Sequence, residues 1–304
     1  KMKKFLTYFK LFFPVFLFIF ISYSLFPYVK EAWEENEGLV IEVFYRELCP
    51  GDVMLIKIKG RNIYSADAFI FQKKFSFYKS RNNNLFTLIG IDLFEEPGEY
   101  PIIIKIRSNS SEITEIKRVI KIKEKYFPLK KIRVKEEYVT PPPRALERIK
   151  KERAILKRIY RTLTPQYLFE REFILPVEFQ AKRNFGERRI FNLRRESRHT
   201  GVDIPAPKGV AVKASNRGKV VLARDLYYSG NTVIIDHGYG LFSLYCHLSK
   251  ITVKEGQLVK KGDVIGKVGA TGRVTGPHLH WGFKLNGAII DPYSVIELPL
   301  NLLE

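Results

Sequence analysis

The chain reads as mainly β: two β-rich units joined by one basic helix and preceded by an apolar amino-terminal segment. Three observations carry this reading. At roughly 150 residues per domain, 304 residues have room for two folded units. From Leu39 to about Ile122, and again from Phe173 to about Ile296, apolar residues fall in short runs broken by glycine, proline and asparagine. Between them only Arg144 to Leu163 carries a helical pattern. An apolar fraction of 45%, with 13% aromatic residues, can fill real cores and excludes a disordered tail or a collagen-like fibre. A net charge of +20 favours polyanionic partners and says nothing about fold. Two cysteines, Cys49 and Cys246, exclude a disulfide scaffold and a four-thiolate zinc site.

The amino-terminal segment comes first. Lys1, Lys3, Lys4 and Lys10 precede the uncharged run Leu11 to Val29, and Glu31, Glu34, Glu35 and Glu37 follow it. As a helix the run would span about 28 Å, close to a hydrocarbon core of about 30 Å. The positive-inside rule then leaves the amino end in the cytoplasm and exports the remainder. The expectation is a single-pass anchor in the inner (cytoplasmic) membrane, with the later domains in the cell envelope. The alternative is a cleaved signal sequence, with Ser22-Tyr23-Ser24 as the processing site and a secreted or periplasmic product. On either reading the basic charge faces envelope polymers, and no nucleic acid is expected as a partner.

Val40 to Phe44, Val53 to Lys59, Phe75 to Tyr78, Phe86 to Ile91, Ile102 to Ile106 and Ile113 to Ile122 then read as strands. Gly60, Asn82-Asn83-Asn84 and Pro97-Gly98 punctuate them. Six or seven strands at that spacing predict an immunoglobulin-like β-sandwich. It has no cluster of titratable groups, so a spacer or docking module is expected, with cell-division or wall-synthesis proteins as its partners. Thr140-Pro141-Pro142-Pro143 opens the helix, with Thr140 expected as N-cap and proline in the first turn. Its thin stripe of Leu146, Ile149, Leu156, Tyr160 and Leu163 fits a solvated helix lying on a neighbouring domain. Arg153 at a would-be core position weakens a coiled-coil reading.

The carboxyl-terminal third is β-rich again, in pieces such as Gly218 to Ala223, Asn231 to Asp236, Leu241 to His247, Val264 to Val268 and His278 to Phe283. It also holds every histidine: His199, His237, His247, His278 and His280. In His199-Thr200-Gly201-Val202-Asp203 an extended segment points the imidazole and the carboxylate to one face, with Gly201 leaving room between them. In His278-Leu279-His280-Trp281 the two imidazoles share a face about 7 Å apart, which suits one ligand and one group acting on what the metal binds. Tyr245-Cys246-His247-Leu248 is expected to point Tyr245 and His247 the same way, with Cys246 buried on the other face. Two imidazoles and a carboxylate with an open fourth position describe a catalytic zinc site. His237, at a strand end, reads as a structural hydrogen-bond group.

These strings resemble the signatures of the lysostaphin/LytM-type zinc metallopeptidases: H-x-x-x-D, a Y-x-H-L strand and a late H-x-H. Phe185-Gly186-Glu187-Arg188-Arg189, Ile235-Asp236-His237-Gly238, Gly256-Gln257-Leu258-Val259 and Thr271-Gly272-Arg273-Val274-Thr275-Gly276-Pro277-His278 complete the family's order. The resemblance covers about residues 173–296. It implies one Zn2+ per chain held by His199, Asp203 and His280, with His247 and His278 as general base and transition-state stabiliser. It also implies a small β-sheet fold with an open groove, and hydrolysis of peptidoglycan stem or cross-link peptides by a metal-activated water. The expected organisation is 1–30 as anchor or signal sequence, 38–125 as immunoglobulin-like domain, 126–172 as linker with the basic helix, and 173–304 as metallopeptidase domain. The stretch Glu178 to Asn184 is more basic than the family's usual turn, which concerns the groove wall. Gly256 to Asp263 resembles a biotinyl-carrier hairpin, but the Asp-Lys attachment pair is missing. A non-enzymatic class remains as alternative: a degenerate relative that binds the wall and activates another hydrolase, although such relatives lose ligands that this chain keeps. Arg188, Arg189, Arg194, Arg195 and Arg198 form either a solvated loop or a rim that grips acidic peptides.

Overall fold

The computed structural model describes residues 28–35, 38–80, 82–109 and 112–303. The expected anchor therefore lies outside the described residues, except for its end. Val29 and Lys30 belong to a strand, Val29–Glu35, paired antiparallel with Leu39–Tyr45. Lys30 and Glu31 lie on this sheet edge, where solvent reaches them and they discourage pairing with another chain. Lys30 and Lys59 both bind the buried carboxylate of Glu42 at 2.8 Å, tying three adjacent strands together. No described helix is long and apolar enough to cross a membrane.

Two antiparallel sheets form the amino-terminal sandwich. One has the spatial order Val29–Glu35, Leu39–Tyr45, Val53–Lys59, Leu85–Gly90 and Tyr78–Lys79. The other runs Lys73–Ser76, Ile63–Ile70, Gly98–Ser108 and Ile113–Ile122. Alternate residues such as Ile41, Ile56, Ile58, Ile102, Ile104 and Ile120 meet between them in one core. Strand Ile63–Ile70 was not legible in the sequence. Its inward residues are Ala66, Ala68 and Ile70, and the two alanines are too small to raise an apolar period.

The other face of the first sheet joins the carboxyl-terminal unit. Phe44, Val53, Leu55, Phe86 and Leu88 share a buried cluster with Phe169, Phe173, Phe283, Leu285 and Ile290. Phe86 packs edge-on to Tyr167 and Tyr239, and Tyr78 stacks on Tyr239. Polar contacts run along the same seam. Arg46 reaches Asp52 at 2.6 Å and Asp291 at 2.9 Å, and the Val53 amide donates to Ser294 Oγ at 2.7 Å. The two β units therefore brace each other through an apolar core with polar contacts along its margin.

The helix Pro143–Ile159 starts two residues later than Thr140 would place it. Pro142 is the N-cap and Pro143 the first helical residue, while Thr140 Oγ1 bonds Glu136 Oε1. Proline at that position costs no hydrogen bond, because the first amides of a helix have no intrahelical acceptor. The helix lies on the carboxyl-terminal sheet as expected for a solvated docked helix. Ile155, Leu156, Ile159 and Tyr160 pack on Leu222, Leu226, Ile234 and Phe242, and Leu146 and Leu163 stay exposed. Glu152 accepts from Arg148 and from the Tyr227 amide, which fixes the register. Just before the helix, Leu129–Ile132 pairs in parallel with Arg188–Phe191, so this stretch adds a strand beside the carboxyl-terminal unit.

The frame of that unit is an antiparallel sheet ordered Val202–Ile204, Leu279–Leu285, Leu241–Leu248, Gly230–Asp236, Gly218–Leu226 and Leu258–Val259, with Ala288–Ile290 paired beside Leu279–Leu285. A second small sheet, Ala211–Lys213, Val264–Lys267 and Lys250–Ile251, closes one end. The C-terminal helix Pro292–Ile296 is capped by Asp291, which accepts from the Tyr293 amide.

Candidate metal centre and groove

Register builds the centre. Val202 stands opposite Trp281, and Trp281 opposite Tyr245. These three side chains are fully buried on the core face of the sheet. One residue further on, Asp203 pairs with His280 and His280 with Cys246, and alternation turns this row to the opposite face. His199 arrives from the neighbouring hairpin, where its amide donates to Glu187 O and its carbonyl accepts from the Gly186 amide. Gly201 is required at the crossing. A Cβ there would overlap the Trp281 carbonyl and sit 2.9 Å from His280 Nε2.

The result is a convergence of three donor atoms. His199 Nε2 lies 2.9 Å from His280 Nδ1 and 3.0 Å from Asp203 Oδ1, and His280 Nδ1 lies 3.3 Å from the same oxygen. Bonds of about 2.0–2.1 Å to a tetrahedral ion give donor spacings of about 3.3 Å, so the three atoms outline one face of such a site. The far nitrogen of His199, Nδ1, contacts Asn184 O at 2.9 Å and carries the proton that this carbonyl needs. Nε2 is thereby left with its lone pair directed at the centre, the second-sphere arrangement expected of a metal-binding imidazole. Two nitrogens and one carboxylate oxygen with this geometry fit a zinc-type cation.

Electrostatics agree. Burial raises the Asp203 pKa, but hydrogen bonds and charge from His199 and His280 outweigh it and hold the group well below the carboxylate range. Its other oxygen accepts from Arg189 Nη2 at 2.7 Å and Asn184 Nδ2 at 3.2 Å. Burial pushes the His280 pKa down to about 4, so the ring is neutral and free to ligate at pH 7.

His247 and His278 face the same centre. Their ring centroids are 5.0 Å apart, and His247 is 5.9 Å from His280. His278 Nε2 lies 3.5 Å from Asp203 Oδ1. His247 Nδ1 is anchored on Thr271 O at 2.8 Å and His278 Nδ1 on Gly276 O at 2.9 Å, which leaves Nε2 as the nitrogen away from the anchor in each ring. Burial sets the His247 pKa well below its usual value.

The strand carrying His247 departs from simple alternation. His247 has φ 64°, and the register with Gly230–Asp236 slips beside it, between Asn231 and Val233. The extra residue in this bulge reverses the facing of all that follows. Tyr245 stays in the core, its hydroxyl bonded to the Ser215 amide and to Ser243, while His247 turns to the groove. Tyr245 and His247 therefore do not share a direction, and Cys246 lines the same cavity as His247 rather than lying behind it. Cys246 is buried as expected, and burial pushes its thiol up to about 12. His237 is a structural group, held between Arg217 O and Ser243 Oγ, with burial lowering its pKa to about 4.

The centre opens into a cavity of about 670 Å3. Leu156 and Tyr160 of the basic helix line part of it, and the strand with Lys130 and Lys131 another part. Gly272, at φ 73°, lets its loop approach the Tyr228–Gly230 turn; a Cβ there would overlap the Gly230 amide. Of the five arginines expected near His199, Arg188 and Arg194 are exposed and paired with Glu196 and Glu136. Arg189 and Arg198 line the cavity. Asn184 was missed as a functional residue, since its role is made by contacts to residues 15 and 19 positions away. Its side chain also accepts from the Asp203 amide at 3.0 Å. Asn184→Ala is expected to weaken metal affinity by about 10–100-fold, the usual scale for a partner behind a ligand, with the fold retained. Competition with a chelating dye measures it.

Comparisons with known proteins meet this geometry at the same residues. Residues 197–292 match the model of peptidase family M23. A Pseudomonas aeruginosa crystal structure assigned to peptidase M23 is similar over 83% of this chain and 96% of its own, at 32% identity and a TM-score of 0.63. The peptidoglycan DD-endopeptidase ShyA of Vibrio cholerae is 42% identical over 127 residues, which is 41% of this chain and 29% of that protein. The DD-carboxypeptidase/endopeptidase Mpg of Neisseria meningitidis is 46% identical over 97 residues, 32% of this chain and 22% of that protein. The chain thus spans less than a third of these curated relatives. The likeness to the Pseudomonas structure runs through both β units, and the chain belongs to peptidase family M23.

Proposed function

We propose that this chain is a zinc-dependent endopeptidase that hydrolyses peptide bonds in peptidoglycan stems or cross-links, and so works in the cell envelope. The observation that carries the reading is the convergence of His199, Asp203 and His280 in a groove flanked by His247 and His278. The names of the relatives, DD-endopeptidase and DD-carboxypeptidase/endopeptidase, support the choice of substrate. Zinc held by His199, Asp203 and His280 would supply a Lewis acid that makes water nucleophilic near neutral pH and polarises a carbonyl.

The protein's own groups do the rest. Asn184 and Arg189 hold the Asp203 carboxylate, and the Asn184 carbonyl holds the His199 ring, so the donors need no rearrangement. One of His247 and His278 takes the proton of the attacking water at Nε2. The other stabilises the oxyanion formed at the scissile carbonyl, and the proton taken from water then passes to the departing amine. The immunoglobulin-like sandwich acts as a rigid brace through the shared core. Digestion of purified peptidoglycan, with fragments identified by mass, tests the reading. New amine and carboxyl ends in peptide fragments, with the glycan intact, are expected. Cleavage confined to the glycan would overturn it.

A further inference from the structure

We propose that Arg273 is the groove's receptor for a carboxylate of the substrate. This rests on the reading of the groove as a peptide-hydrolysing site. Three arginines near the centre are already paired with carboxylates: Arg188 with Glu196, Arg194 with Glu136, and Arg189 with Glu187 and Asp203. Arg273 is different. Its guanidinium lies 4.1 Å from the Phe191 ring centroid and 5.0 Å from that of Tyr228. The Arg273 amide donates to Tyr228 O at 2.8 Å, which fixes the base of the side chain. Among the described residues no carboxylate pairs with it, and the cations acting on it are Arg195 and Arg189. Burial, with Arg195 adding to it, lowers its pKa to about 10, so it remains charged at neutral pH.

A half-buried cation among like charges is unfavourable in the free protein and is relieved by an incoming anion. Packing the planar group against two rings limits its rotational freedom, so less entropy is lost when it binds. The guanidinium fork matches a carboxylate in bidentate fashion. Position makes the contact relevant to the reaction. Arg273 lines the same cavity as His247 and His278, and its loop supplies the Thr271 carbonyl that anchors His247. A peptide held there would place a carboxylate close to the bond being cut. That carboxylate is either the peptide's C-terminus or a side-chain carboxylate of a neighbouring residue.

Three synthetic stem peptides separate these sources: one with all carboxylates free, one amidated at the C-terminus and one amidated at its side-chain carboxylates. Binding to the zinc-loaded full chain is measured by calorimetry for wild type, Arg273→Met and Arg273→Lys, beside thermal unfolding and wall hydrolysis. Arg273→Met is expected to weaken the free-carboxylate peptide by about 10–100-fold, the range of a charge-assisted hydrogen-bonded pair. Arg273→Lys, keeping charge without the fork, is expected to lose less. One amidated peptide should bind wild type weakly and show no further loss in Arg273→Met, which identifies the carboxylate. Equal loss on all three peptides, unchanged binding, or no binding of the free peptide to wild type would overturn the proposal. Carboxylate- and Arg273-dependent binding without any wall hydrolysis would instead overturn the enzymatic reading and leave the receptor standing.

Discussion

Replacing His199 or His280 by alanine is expected to remove bound metal and wall hydrolysis together. Each contributes one of the three donor atoms, which lie within 4.8 Å of one another. Losing one leaves two ligands, and the remaining imidazole and carboxylate then contact each other rather than an ion. Hydrolysis should fall by about 10³-fold or more, because water loses an activation that spans many units of its pKa. Metal content by mass spectrometry, measured beside hydrolysis of purified wall, checks both halves. Retention of one equivalent of zinc by His280→Ala, with its loss from His278→Ala, would reverse the assignment within the His278-Leu279-His280 string.

The complementary result concerns His247 and His278. Alanine at either is expected to leave near-stoichiometric zinc and to lower turnover by about 10²-fold or more, the scale of a positioned acid–base group. Neither ring is needed to complete the three-atom cluster, yet both face it with Nδ1 tied to a backbone carbonyl. Metal content and single-turnover rates of the two variants separate the roles. If either loses zinc as completely as His199→Ala does, that histidine is a ligand and the division of labour fails.

The residues of the centre were legible because the chemistry is written in short spacings. His199 and Asp203 are four apart, His278 and His280 two apart, and extended backbone places each pair on a shared face. What escaped was anything created by a break in alternation or by distant contact. The left-handed turn at His247 is invisible in Tyr245-Cys246-His247, so both the facing of Tyr245 and the place of Cys246 came out wrong. Asn184 offers no pattern of its own, since its partners arrive by folding. The same holds for the helix. Leu156 and Tyr160 read as a thin apolar stripe, but that they line the groove depends on how the helix docks. In the sandwich, the missed strand Ile63–Ile70 buries two alanines, which raise no apolar period.

The most direct test strips the full chain of metal with a chelator and then restores zinc in steps, following release of peptide fragments from purified peptidoglycan. The frame of paired strands does not depend on the ion, so far-ultraviolet circular dichroism should persist in the stripped protein. Hydrolysis should vanish on stripping and return in proportion to added zinc, with its break at one equivalent per chain. Undiminished peptide release by the metal-free protein, or no release at any zinc level, would contradict the account.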